Sequence, residues 1–144
     1  MIGKTVEKNF KKLKVNSLNS LQLAYIGDAI YEAYIRNYLI HKNSEKSVHK
    51  LHKMAVSYVK AESQSNFIKA YKDNLKEEEI LVFKRGRNAK SLNPPRNADI
   101  IDYRNATGLE ALIGYLYLNE DEDRIDEIIN DLIVFFDEED KNGL

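Results

Sequence analysis

Apolar residues recur along this chain at three- and four-residue spacing, the period of a helix face. Val6, Phe10 and Leu13 begin the series and predict a short leading helix. The segment from Ser17 to Asn19 can cap a second helix running to about Leu39. Its centre, residues 21–31, is apolar nearly all round, which usually marks a helix central to its fold. Ser44 or Ser47 can cap the next helix, with Val48, Leu51, Ala55, Tyr58 and Val59 on one stripe. Phe67, Ile68, Tyr71 and Leu75 continue the period after a bend expected near residues 63–65. Glu77, Glu78 and Glu79 open a further helix, and Lys84, Arg85 and Arg87 close it. Acid first and base last complements the helix dipole. Residues 89–98 contain Pro94-Pro95 and read as a loop. Asp99, with Asp102 three residues on, starts a helix reaching Leu118. Ile125, Ile128, Ile129, Leu132, Ile133 and Phe136 make the last amphipathic helix. No run alternates as a strand does, so the expectation is an all-α bundle.

The 144 residues, without internal repeat or linker, are expected to form a single domain, 1–144. Hydrophobic residues at 43% and charged residues at 31% are ordinary for a globular core and argue against disorder. The absence of cysteine excludes a disulfide framework and thiolate metal sites. No apolar run is long enough to span a bilayer and no signal-peptide core is present, so a cytoplasmic protein without membrane contact is expected. The net charge of −1 conceals an asymmetry. Residues 1–118 carry 20 Lys and Arg against 12 Asp and Glu, whereas residues 119–144 carry 2 against 11. A basic body is one reason to consider a polyanionic partner. A solvated acidic helix and nothing more is the plainer reading of the tail.

Two carboxylates stand out. Asp28 sits in the most apolar helix, where a buried acid must be paired, protonated or metal-bound. Glu32 and Arg36 share its helix, but Arg36 more naturally serves Glu32. Glu110 lies in a second nearly all-apolar helix, with Thr107, Gly114 and Tyr117 on its face. Packed together, these helices could place both acids in one cleft and hold Mg²⁺, which often takes only one or two carboxylates plus phosphate oxygens. The alternative is two separately satisfied acids, for instance through Arg104. From Lys84 to Arg104 there are six basic residues and two acidic ones. Lys84, Arg85, Arg87, Asn88, Lys90 and Arg96 can bond phosphate oxygens, or simply face solvent. His49 and His52 share a helix face, but no third metal ligand stands near them in sequence. The tyrosines mostly fall on apolar stripes and read as core.

The segment Leu23-Ala24-Tyr25-Ile26-Gly27-Asp28-Ala29-Ile30-Tyr31-Glu32 resembles the signature helix of ribonuclease III catalytic domains. The segment from Leu109-Glu110-Ala111 to Leu118 resembles their second acidic motif. Arg85-Gly86-Arg87-Asn88-Ala89-Lys90-Ser91, then Pro95, Asn97, Asp99 and Tyr103-Arg104-Asn105-Ala106-Thr107, are similar to the Mini-ribonuclease III subgroup. The resemblance covers about residues 18–118, with three motifs in register. It implies a homodimeric, all-helical endoribonuclease domain that cleaves double-stranded RNA with Mg²⁺, leaving 5′-phosphates. It also implies maturation of the 23S ribosomal RNA precursor, with a ribosomal protein a conceivable partner on the substrate, and no separate double-stranded-RNA-binding domain. Asp28 and Glu110 are then the catalytic metal ligands. Lys84, Arg85, Arg87, Asn88, Lys90 and Arg96 contact RNA, and Thr107 and Arg104 support the site.

The chain departs from the full-length pattern at three acidic positions, which here hold Leu21, Ala24 and Thr107. That departure motivates a competing reading: a non-catalytic, helical, dimeric RNA-binding module. One hypothesis for the acidic last helix is that its charge repels RNA and confines binding to the opposite face.

Overall fold

The computed structural model describes residues 13–90 and 94–141. The expected leading helix lies outside the described residues except for Leu13. After a 3₁₀ turn at Val15–Ser17 come six α-helices: α1 (Ser20–Lys42), α2 (Val48–Val59), α3 (Ala61–Tyr71), α4 (Glu77–Arg87), α5 (Ile100–Leu118) and α6 (Glu122–Lys141). A second 3₁₀ turn, Lys72–Asn74, joins α3 to the α4 region. Among the described residues there is no strand, and no helix is long and apolar enough to cross a membrane.

The caps follow side-chain chemistry. Asn19 Oδ1 accepts from Gln22 N at 2.9 Å and Gln22 Oε1 accepts from Asn19 N at 3.0 Å, closing the start of α1 reciprocally. Ser47, one of the two expected caps, accepts from Lys50 N and starts α2. Asp99 Oδ1 accepts from the backbone N–H groups of Ile101 and Asp102 and starts α5.

The chain bends at Lys60, whose backbone is extended, three residues before the expected bend. The polar residues that suggested the bend instead repair it. A helix end leaves its last carbonyls without intrahelical donors. Ser63 Oγ donates to Ser57 O at 2.6 Å, Tyr31 Oη to Tyr58 O at 2.6 Å, and Gln64 Nε2 to Val59 O at 2.9 Å. The end of α2 is thus closed by side chains from α1 and α3.

The hub is α5, which packs against α1, α3, α4 and α6 and is buried over nearly all of residues 105–117. The expectation that α1 is the central helix holds only in part. Leu23, Gly27, Ile30, Tyr31, Ile35 and Leu39 face the core, but Tyr25, Asp28 and Ala29 face solvent, with Tyr25 85% exposed. An all-apolar sequence does not say which of its faces this chain covers.

Several acids of α6 are bound to the fold. Arg124, buried, donates two hydrogen bonds to Glu79 and one to the carbonyl of Asn74, and also pairs with Glu127. Tyr71 Oη donates to Asp131 at 2.5 Å, and Tyr34 lies against Asp126. His49 and His52 are exposed on α2, and Arg36 pairs with Glu32 at 3.4 Å.

Candidate active site

Two glycines set the distance between α1 and α5. A Cβ on Gly27 would stand 2.7 Å from the carbonyl carbon of Glu110 and overlap its oxygen. A Cβ on Gly114 would overlap the carbonyl of Leu23 in the same way. The helices therefore cross backbone to backbone, as only glycine permits. Asp28 follows Gly27, and Glu110 sits one turn before Gly114. The crossing that packs the core also brings the two carboxylates together, close enough for a hydrogen bond between them.

Their surroundings differ. Asp28 is exposed at the edge of the crossing, which corrects the burial that the apolar helix implied. Its neighbour Gly27 makes the core contact, so the acid one position on is turned outward. Glu110 is recessed. Burial first, and then the negative charge of Asp28, push the Glu110 carboxyl up to about 8, with Glu32 adding to the rise. One hydrogen bond opposes it: Gln64 Nε2 donates to Glu110 Oε2 at 3.3 Å. Sequence reasoning passed over Gln64, because a polar residue at an expected bend gives no signal of a long-range partner.

Thr107 is buried, but its hydroxyl donates to the Tyr103 carbonyl of its own helix at 3.0 Å, not to Glu110. Arg104 is exposed and makes no ion pair with either acid. Among the described residues neither of these expected supports hydrogen-bonds or ion-pairs with the two acids. The acids are thus not separately satisfied; they face each other without a cationic side chain bonded to either among the described residues. Two carboxylates so placed need a proton or a cation between them. Their oxygen donors suit a hard divalent ion such as Mg²⁺. Among the described residues no group of three or more His, Asp or Glu side chains is arranged to hold a metal. The pair therefore fits an ion that completes its shell with water and substrate oxygens.

The basic segment ends at the same level of α5. Gly86 lets α4 lie against Thr107, Gly108 and Ala111, so the helix that carries Lys84, Arg85 and Arg87 packs at the level of α5 that carries Glu110. Lys84, Arg85, Asn88, Lys90 and Arg96 are exposed, and among the described residues none of the basic ones is used in an ion pair. Arg87 is half-buried over the Phe83 ring, with its Nε donating to Asn88 Oδ1. Residues 91–93 of this loop lie outside the described residues.

Residues 21–121 match the Ribonuclease III domain family. The chain is 50% identical over 135 residues to Mini-ribonuclease 3 of Clostridium tetani, covering 94% of this chain and 89% of that one. It is 53% identical over 114 residues to Mini-ribonuclease 3 of Brevibacillus brevis, covering 79% and 84%. A crystal structure of a protein from Fusobacterium nucleatum, 37% identical, matches with a TM-score of 0.73 over 80% of this chain and 87% of that chain. The matched segment contains both acids and the whole α1–α5 crossing. The chain belongs to the ribonuclease III family and is an endoribonuclease of double-stranded RNA.

Proposed function

We propose that Asp28 and Glu110 are the catalytic pair, that they hold Mg²⁺, and that the chain works as a cytoplasmic homodimer on the 23S ribosomal RNA precursor. The observation that carries this reading is the apposition of the two acids at the Gly27–Gly114 crossing, with no cationic side chain bonded to either. When bound, the ion supplies an activated water and neutralises charge developing on the phosphodiester. Asp28, at the exposed edge, is the ligand that meets substrate first. Glu110, recessed behind it, must lose its proton to take part, and a nearby cation favours that loss. The products carry 5′-phosphates.

Lys84, Arg85, Lys90 and Arg96, with Arg87 and Asn88, line the RNA backbone, which in an A-form duplex is read through phosphates and shape. The ribosomal RNA substrate follows from the resemblance of the motifs to the Mini-ribonuclease III subgroup, and the relatives named Mini-ribonuclease 3 agree with that subgroup. The exposed Tyr25 and Ala29 face of α1 supports a two-fold interface that buries it, giving one acid pair per strand. A ribosomal protein presenting the substrate belongs to the same reading.

The test is cleavage of a long RNA duplex by wild type, Asp28→Asn and Glu110→Gln, with Mg²⁺ and with chelator. Each variant is expected to lose more than about 100-fold in rate while still binding the duplex. Undiminished cleavage by Asp28→Asn would remove that residue from the site. Salt-sensitive binding without any Mg²⁺-dependent cutting by the wild type would favour the binding-only alternative.

A further inference from the structure

We propose that Gln64 is a positioning residue for Glu110: its side-chain amide fixes the Glu110 carboxylate in the orientation that receives a divalent cation. The inference rests on the assignment of Glu110 to the cation site made above.

Gln64 is only 2% exposed, although it lies on a helix with otherwise polar stretches. Its amide nitrogen has two hydrogens, and both are committed. One goes to Val59 O at 2.9 Å and the other to Glu110 Oε2 at 3.3 Å. The reverse orientation would set the amide oxygen against a carbonyl and a carboxylate, so the hydrogen bonds themselves fix which way the amide faces. Val59 is in turn the last residue of α2, held by the turn at Lys60. A rigid neutral donor is thereby aimed at one oxygen of a recessed acid.

Closing α2 does not by itself explain this side chain. Ser63 performs the same task for the Ser57 carbonyl with a single bond and, among the described residues, makes no side-chain hydrogen bond to an acid. Gln64 adds a second bond that reaches across to α5. Its Oε1 is also the one buried side-chain polar atom without a partner among the described residues. A buried acceptor is costly until a donor reaches it. A water on a cation held by Asp28 and Glu110 would be such a donor.

The experiment titrates Mn²⁺ alone into wild type, Gln64→Met, Ser63→Ala and Glu110→Gln, with free Mn²⁺ followed by electron paramagnetic resonance and folding by thermal melts. Methionine keeps the length of glutamine but not its donors. Gln64→Met is expected to bind Mn²⁺ about tenfold more weakly, as loss of a partner bonded to a metal ligand typically does. Ser63→Ala is expected to melt lower and bind as the wild type does. In wild-type protein, the ¹⁵N resonance of the Gln64 side chain should shift with Mg²⁺ along the same saturation curve as Asp28 and Glu110. Unchanged Mn²⁺ affinity in Gln64→Met, with binding lost in Glu110→Gln, overturns the inference and leaves the role of Glu110 standing. Wild-type affinity in Glu110→Gln overturns both. Equal weakening in Ser63→Ala makes the effect one of helix packing and overturns the inference. Should Gln64→Met not fold, the wild-type resonance decides: no shift through Mg²⁺ saturation overturns it.

Discussion

Gly27→Ala is the sharpest probe of how packing and chemistry are joined here. The added methyl meets backbone atoms of Glu110, which no side-chain rotamer can move aside. Restoring the contact with the Glu110 carbonyl carbon from 2.7 Å to an ordinary 3.4 Å opens the crossing by at least 0.7 Å, and the overlap with its oxygen demands more. Overpacking of this kind costs roughly 1–3 kcal/mol, with larger values when the backbone must shift. The better helix propensity of alanine returns about 1 kcal/mol. A net loss of about 2 kcal/mol lowers the melting temperature by roughly 7 °C for a chain of this size. The effect on activity should be larger than stability explains, because the same movement separates Asp28 from Glu110. Misplacement of about 1 Å at a reacting centre can cost on the order of 100-fold. The assay is Mg²⁺-dependent duplex cleavage at a temperature where thermal melts show the variant fully folded. A variant that melts as the wild type does would refute the close crossing. One that is destabilised but cleaves at the wild-type rate would refute the claim that the crossing sets the geometry of the acids.

The remaining predictions concern charge. The Glu110 carboxyl ionises near 4.5 when unperturbed and near 8 in the fold. Between those values the folded state binds the extra proton, so the metal-free protein should lose stability as pH rises from about 5 to 8. Glu110→Gln should flatten that slope, and thermal melts across the range check it; parallel slopes in both proteins would refute it. Burial pushes the Glu79 carboxyl up, but the bonds from Arg124 and the Lys76 N–H outweigh it and hold it below the ordinary carboxylate value. Glu79→Gln leaves the buried Arg124 without its main counter-charge and should cost about 3 kcal/mol in urea unfolding; a loss under about 1 kcal/mol would mean that the pair is solvated. Arg85→Ala, Lys90→Ala and Arg96→Ala should each lower the slope of log binding constant against log salt by about 1, without changing the melting temperature. An unchanged slope places that residue away from the phosphates.

Much of the helical order was legible because its causes are local. Asn19, Ser47 and Asp99 cap the helices they precede through bonds spanning two or three residues. The stripe from Ile125 to Leu132 is buried as its spacing predicts. The bend near α3 was displaced by three residues because Ser63 and Gln64 bond backwards to the carbonyls that the bend frees, not to their own turn. The acidic tail looked like an undirected charge run. Asp131, Glu127 and Asp126 instead meet Tyr71, Arg124 and Tyr34, partners that in two of the three pairs lie many residues away.

By itself the sequence determined the helices, their caps and the two acids set in apolar stretches of sequence, since propensity, periodicity and side-chain chemistry act over a few residues. Tertiary structure alone decided which face of α1 is covered, because apolar residues surround that helix and the elements packed on it, α5 foremost, select a side. It also decided that Asp28 is exposed while Glu110 is recessed, that Gln64 reaches Glu110 across 46 positions of sequence, and that Thr107 turns back to its own helix. The physical reason is the glycine crossing: two missing side chains let two backbones touch, and that contact sets the environment of both carboxylates.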